Sequence, residues 1–297
     1  MASFASSLGL RLMGFCGVDD SISAEHLQMI SIHYPWVEWG ILFRPDKEGT
    51  ARYATSAWVD KLSKINKDTG GLMRLAGHLC GSRCQDVIEG FITHSHILLA
   101  FTYSYFLLTG DYTFIRSLHE KGFGRVQINA TKANNVKVED GKSDYYVQNI
   151  INCMNNVPEI EWIIQCNDET KHIWEKLVLN APKNMSILYD ASCGLGKLVT
   201  EFPTPHPTIP CGYAGGIGPT TIEAVLTNVQ AASKGKSVWI DMESSLRLLV
   251  TEVPKKDQQV DVATLNDVFS IEKAVACILI GVSKFGLPVG RITLLSI

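Results

Sequence analysis

Neither sign of charge dominates this chain: 27 Lys+Arg stand against 30 Asp+Glu, a formal net charge of −3 over 297 residues. That balance gives no broad electrostatic surface for nucleic acid and no basic face for a membrane. Nor is the chain poor in apolar residues. At 46% hydrophobic and 19% charged it can bury a large core, which excludes intrinsic disorder. A short disulfide framework is missing too. The eight cysteines, at 16, 80, 84, 153, 166, 193, 211 and 277, are spread widely and read as free thiols of a reducing compartment. No secretory leader is expected, because Arg11 interrupts the early apolar stretch and residues 10–16 read as a strand, so the expected location is cytoplasmic. Low-complexity linkers and breaks in composition are likewise lacking, and one domain over residues 1–297 is expected.

One segment departs from this pattern. Residues 91–109 contain no Asp, Glu, Lys or Arg, close to the length of a membrane span. They carry His94, Ser95, His96 and Ser104 with several Tyr and Thr, polar groups that lipid would leave unpaired. A buried or interface helix is the expectation, with no membrane anchor and with 91–114 as a surface for a homodimer.

Short apolar runs alternate with longer amphipathic stretches throughout. Strands are predicted at 10–16, 37–43, 73–79, 125–129, 162–167, 186–190, 210–214 and 237–242, each followed by a helical pattern. Helix starts are marked at Ser143, at Asp168, and at Thr220 with Glu223, a T-x-x-E box after Gly218-Pro219. A last helix is expected within 261–281. Eight strand–helix units predict an α/β fold, a single (β/α)8 or TIM barrel. An open doubly wound sheet would want G-x-G-x-x-G after its first strand, which is absent. The extra length lies at 82–122, an enlarged helical insertion after strand three.

In such a barrel the chemistry belongs at the C-terminal ends of the strands, and strand periodicity says which side chains point together. Leu12, Gly14 and Cys16 share a face on strand one. Strand three offers His78 and Cys80, strand four Gln127 and Asn129, strand five Gln165 and Asn167. Strand six ends on Asp190 and strand eight on Asp241 and Glu243. One register therefore brings polar groups to a common pocket. A thiol can take a carbon-bound proton and a carboxyl can return one, so Cys16 and Asp190 form an acid–base pair across the mouth. The segments 193–197 (CGLGK) and 214–219 (AGGIGP) add Gly-rich turns, the second opening a helix, where backbone N–H groups can meet an anion. His78, Cys80 and Cys84 read H-x-C-x3-C, but no second pair completes a zinc set, and no metal is expected.

These residues, in this order, resemble the phosphoribosylanthranilate isomerase family, a (β/α)8 barrel of tryptophan biosynthesis. LRLMGFCGVDDS (10–21) is similar to the family's first strand with its Cys-Gly pair, and WGILFRPDKEGTARY (39–53) to its second strand and Arg-Tyr loop. VQIN (126–129) resembles strand four, ILYDASCGLGK (187–197) strand six with its G-x-G-K loop, and YAGGIGP (213–219) the strand-seven loop. The match runs from Arg11 to Arg247 and omits 82–122. It implies an aldose–ketose isomerase performing an Amadori rearrangement, without metal or organic cofactor. Cys16 would be the general base, Asp190 the general acid, and Arg52 the holder of a substrate carboxylate. The backbone at Gly194, Gly196, Gly215 and Gly216 would cradle a phosphate. The substrate would be a small molecule bearing phosphate or carboxylate, with Gln127, Asn129, Asn167, Asp241 and Ser244 as further contacts.

Two departures from the family stand out. The Lys before its Cys-Gly pair is Gly14 here, and its Asp-Val-Ser-Ser-Gly at strand eight is Asp241-Met242-Glu243-Ser244-Ser245. A glutamate 4–8 Å from a phosphate repels it by roughly 2–4 kcal/mol at an effective dielectric near 20. Either Glu243 points away, Arg247 or Lys197 compensates, or the phosphate is gone. A related barrel enzyme with another small anionic ligand, and a non-catalytic binding or scaffold protein, are the other two readings.

Overall fold

The computed structural model describes residues 9–90, 111–251 and 265–290. Eight parallel strands close into a barrel in chain order. They are β1 (Leu10–Cys16), β2 (Val37–Phe43), β3 (Arg74–Leu79), β4 (Arg125–Ile128), β5 (Glu161–Cys166), β6 (Met185–Tyr189), β7 (Cys211–Tyr213) and β8 (Val238–Met242). β8 returns to β1 with Gly14 opposite Asp241, which completes the ring. The closed-barrel expectation is met, but the helix expected after β6 is not formed: residues 190–210 run to β7 as turns and loop.

Around the ring lie α1 (Ala24–His33), α2 (Ser56–Asp68), α3 (Ser82–Glu89), α4 (Thr113–Glu120), α5 (Ser143–Asn156), α6 (Lys171–Leu179), α7 (Ile222–Ser233) and α8 (Ile271–Phe285). Ser23 and Thr55 cap α1 and α2 by accepting from the N–H groups of His26 and Trp58. Outward strand residues such as Phe15, Trp39, Ile41 and Ile164 pack with the helices into one large core. α3 and α4 flank residues 91–110, which lie outside the described residues, as does most of the expected dimer surface at 91–114.

Two further helix expectations are corrected. α7 is preceded by Thr221, not Thr220. The Thr221 hydroxyl donates to the Gly216 carbonyl, and Glu223 pairs with Lys284 instead of closing a capping box. The helix expected within 261–281 starts only at Ile271, where Ser270 accepts from Lys273 N–H. Residues 265–269 are instead strand β10 (Leu265–Phe269), antiparallel to β9 (Arg247–Thr251). The reason is alternation: Asp267 and Phe269, two residues apart, share one face of the strand, where Phe269 joins the core and Asp267 meets Arg247 and Arg52.

Inside the ring the side chains are layered. Leu12, Ile163, Leu188 and Trp239 form a small apolar cluster. The Trp239 indole fits because β7 offers only Gly212, whose Cβ, if present, would lie 2.1 Å from the ring. Below, at the strands' N-terminal ends, is a charged floor. Arg125 reaches Glu38 at 2.6 Å and Glu161 at 3.0 Å, and Arg11 reaches Glu161 at 2.5 Å. Both guanidinium groups stack on Trp239, at 4.7 and 4.3 Å from the ring centre.

Burial alone would raise the Glu161 carboxyl, but Arg125 and Arg11 overcome it and hold it at about 2. A carboxylate depressed on folding stabilises the fold above its unfolded value, and that contribution is lost as pH falls toward the folded value. Between pH 5 and 2 the wild type should therefore lose on the order of 3 kcal/mol through this group. In Glu161→Gln, urea midpoints measured across that range should start lower and fall less steeply. An equally steep fall in the variant would show that the floor does not govern acid stability.

Candidate active site at the barrel mouth

At the C-terminal ends of the strands the barrel opens into a cavity. Its wall includes His78, Gln127, Asn129, Gln165, Asp190, Asp241, Glu243 and Ser244, with Gly194, Gly196, Gly215 and Gly216 from the loops after β6 and β7. Period-two alternation produces this convergence. His78, Gln127, Gln165 and Asp241 all lie on the face of their strands that points into the ring. Chain order had scattered them over more than 160 positions of sequence, from 78 to 241.

Cys16 lies fully buried behind the His78 side chain that lines this cavity, its Sγ 3.2 Å from His78 Nδ1. The imidazole fits because β2 carries Gly40, where a Cβ would stand 2.9 Å from His78 Nε2 and 3.1 Å from Cys16 Cβ. Burial pushes the thiol well up, and Glu243, Asp241 and Cys80 add to that. Burial, and then the Arg125 charge, lower His78 to about 3. Thiol and imidazole thus face each other uncharged, and one shared proton links them. The Cys16–His78 pairing was not foreseen. Its only sequence signal is that both residues fall in the inward register, with a glycine on the strand between.

Asp190 follows β6 and is held by four donors. Its Oδ1 accepts from Ser192 N–H at 3.1 Å and the Ser192 hydroxyl at 2.5 Å, and its Oδ2 from Gln165 Nε2 at 2.7 Å and Gly194 N–H at 2.9 Å. The CGLG turn therefore wraps the carboxylate. Gln127 donates to Asn129, and Asn129 in turn to the Cys80 sulfur, an ordered amide ladder along one wall. Gly215 and Gly216 are packed by residues 197–199. A Cβ on Gly215 would lie 2.6 Å from Val199 Cγ2, and one on Gly216 would lie 2.4 Å from Leu198 N. Gly196 meets the Ser244 hydroxyl in the same way, at 3.1 Å. These glycines let three loops nest at the mouth.

Glu243 enters the cavity, with about a third of its side chain exposed there, and its compensating cation is Arg52 at 3.3 Å. Burial raises the Glu243 carboxyl, while Arg52 and Arg247 oppose the rise. Arg52 itself is not part of the cavity wall. Its Nε is bound to Asp267 at 3.0 Å, and its left-handed backbone, φ 74°, is fixed by its N–H donating to Asp19 at 2.7 Å. Behind it, buried Arg247 joins Asp19 at 2.9 Å, Asp267 at 2.8 Å and the Gly17 carbonyl at 2.7 Å. Asp267 lay inside an expected helix and Asp19 in a loop, so this network carried no sequence signal.

Asn167 is placed elsewhere. One residue past β5 the chain turns, and Asn167 Oδ1 accepts from Thr170 N–H at 3.1 Å, ahead of α6. It lines a separate cavity on the barrel's flank with Trp174, Tyr189 and Phe202. All eight cysteines are free. Among the described residues no group of three or more His, Cys, Asp or Glu is arranged to hold a metal ion, and no helix is long and apolar enough to cross a membrane.

No family model matches the chain, and no curated protein matches it. Solved structures do. Phosphoribosylanthranilate isomerase from Thermotoga maritima is similar at 12% identity and TM-score 0.42, over 79% of this chain and 87% of that one. 3-Hexulose-6-phosphate synthase from Salmonella typhimurium is similar at 11% identity and TM-score 0.39, over 79% and 90%. D-psicose 3-epimerase, determined in the presence of D-fructose, is similar at 10% identity and TM-score 0.44, over 81% and 86%. Likeness at this level carries no information on reaction or substrate.

Proposed function

We propose that the mouth cavity is the active site of an intramolecular aldose–ketose isomerase, which moves a proton between neighbouring carbons of a small polyhydroxylated substrate. The observation that carries this reading is that Asp190 and His78 line a single amide-lined cavity from different sides of the ring, with the Cys16 thiol bonded to His78 behind the wall. β6 is three strands from β1 in one direction and three from β3 in the other, so a bound chain of carbons would lie between the two groups.

Asp190 acts as the acid, giving a proton to the ring oxygen of the aldose as the ring opens. In one concerted step the Cys16 proton moves to His78 Nδ1 as the sulfur takes the proton from carbon 2, so neither neutral group ionises beforehand. Carbon 1 then takes the proton now held on Cys16, the carbon-2 hydroxyl returns a proton to Asp190 as the ketone forms, and His78 gives its proton back to the sulfur. With an aminoaldose the same steps are an Amadori rearrangement, the version the family resemblance implies. His78 is the member of the pair at the cavity wall, so it also separates the thiol from solvent until substrate arrives.

Deuterium uptake tests this directly. With wild type in D2O, a panel of aldoses, aldose phosphates and aminoaldoses followed by NMR should show exchange at carbon 2 for at least one member. Cys16→Ala and Asp190→Asn should each lower that rate by about 10²- to 10⁴-fold, the usual worth of a positioned acid or base. Exchange at wild-type rate in both variants would remove the pair from the mechanism.

The electrostatics of Cys16 give a second expectation. Burial is the larger cause of its raised thiol, and Glu243 adds to it. At pH 8.5, iodoacetamide followed by peptide mapping should label half-exposed Cys193 long before Cys16. Glu243→Gln should then speed Cys16 labelling several-fold, because one negative neighbour has gone. An unchanged rate would show that Glu243 does not act on the thiol.

A further inference from the structure

Among the described residues, the carboxyl side chains that line the mouth are Asp190, Asp241 and Glu243. No described Lys or Arg is part of the wall, and His78 is uncharged there. Asp241 stands opposite Gly14 in the β1–β8 register, so strand one offers it no side chain, and no described residue donates a hydrogen bond to it. Glu243 shares Arg52 with Asp267.

A second observation concerns Gln165. Its Nε2 is committed to Asp190, and that bond fixes which end of the amide is which. Oε1 is left as a buried acceptor with no donor, on a side chain that lines the cavity and is only 4% exposed. Unpaired buried acceptors are costly, and the group that relieves one must be a donor. Asp241 without a direct partner, Glu243 with a shared one and an amide oxygen without a donor ask for the same complement.

On the reading of this cavity as the isomerase site, we propose that its substrate is an unphosphorylated amino sugar, whose ammonium lies against Asp241 and Glu243 and whose hydroxyls donate to Gln165 Oε1. A phosphate would add negative charge beside three carboxyls and bring only further acceptors. An ammonium supplies up to three donors and the missing positive charge. The strand-seven glycines do not contradict this, because the 197–199 segment is packed directly on them.

Calorimetric titration at pH 6.5 with D-glucosamine, D-glucose, N-acetyl-D-glucosamine and inorganic phosphate separates the possibilities. Glucosamine should bind at least tenfold more tightly than glucose or the N-acetyl sugar, whose nitrogen carries no charge, and phosphate should give no heat at 10 mM. Asp241→Asn and Glu243→Gln should each cut the preference for glucosamine over glucose toward unity, with glucose affinity within about threefold of wild type. Glu243 sits nearer the rim, so that variant serves if Asp241→Asn fails to fold by circular dichroism. Phosphate binding, a sugar phosphate preferred over its parent sugar, equal affinities for glucosamine and glucose, or no binding by any probe would overturn the inference. Deuterium uptake by sugars without any preference for an ammonium would remove this inference and leave the isomerase reading. Ammonium-selective binding with no deuterium uptake by any substrate would do the reverse.

Discussion

The Arg125 guanidinium is the charge on which the barrel's interior depends. It is buried at the bottom of the ring, bound by Glu38 and Glu161 and stacked on Trp239. A buried charge without partners would cost several kcal/mol, and removing one partner of such a set typically costs about 3–5 kcal/mol. The floor therefore constrains four strands at once, β2, β4, β5 and β8. Its reach extends upward. Arg125 helps to keep His78 neutral and moderates the rise of Asp241, whose carboxyl burial drives well up. The protonation state of the mouth is thus set in part from two layers below.

Charge is partitioned along the barrel axis. Arginines paired with acids occupy the floor and the outer rim, while the described wall of the cavity between them carries carboxyls and no Lys or Arg. At the rim, Arg247 and Arg52 bind Asp19, Asp267 and Glu243 and so fasten the β9–β10 hairpin to the loops after β1 and β2. Glu243 belongs to both regions, because one side meets Arg52 and the other faces the cavity. That dual position accounts for a carboxyl raised by burial yet still paired. The hairpin, although outside the ring of eight strands, therefore helps to determine the charge inside it.

The regular part of the fold was legible in the sequence because it follows from period-two alternation and turn chemistry. β1 and β2 begin and end where alternation placed them, and the remaining strands differ by a residue or so at their ends. The inward register carried His78, Gln127, Gln165, Asp190 and Asp241 to one cavity for the same reason. Legibility ended where the chain left regular structure. Asn167 is one residue past its strand, where alternation no longer dictates direction, and its oxygen is taken by the turn into α6. Residues 265–269 looked helical because they precede a real helix without a Gly or Pro between. What makes them a strand is long-range: Phe269 in the core and Asp267 held by two arginines distant in sequence. Arg52 could be seen as a loop cation, but not that Asp267 and Glu243 already hold it.

The contrast between Arg52 and Gln165 bears on how the site would recognise a ligand. Arg52 is the kind of residue that binds carboxylates, with a planar fork of donors. Here its Nε and Nη1 already bind Asp267 and Glu243, so an anionic ligand taking those positions would have to displace one of them and leave a carboxylate unpaired in its place. Gln165 makes no such demand. Its free oxygen sits beside the Asp190 carboxylate that its nitrogen fixes, so a hydroxyl reaching it is drawn toward the acid without breaking any existing bond. Binding that satisfies an orphaned acceptor adds a hydrogen bond, whereas binding that breaks an ion pair only exchanges one. On that asymmetry the cavity selects for donors, and the amide next to Asp190 both positions the acid and orients what the acid meets.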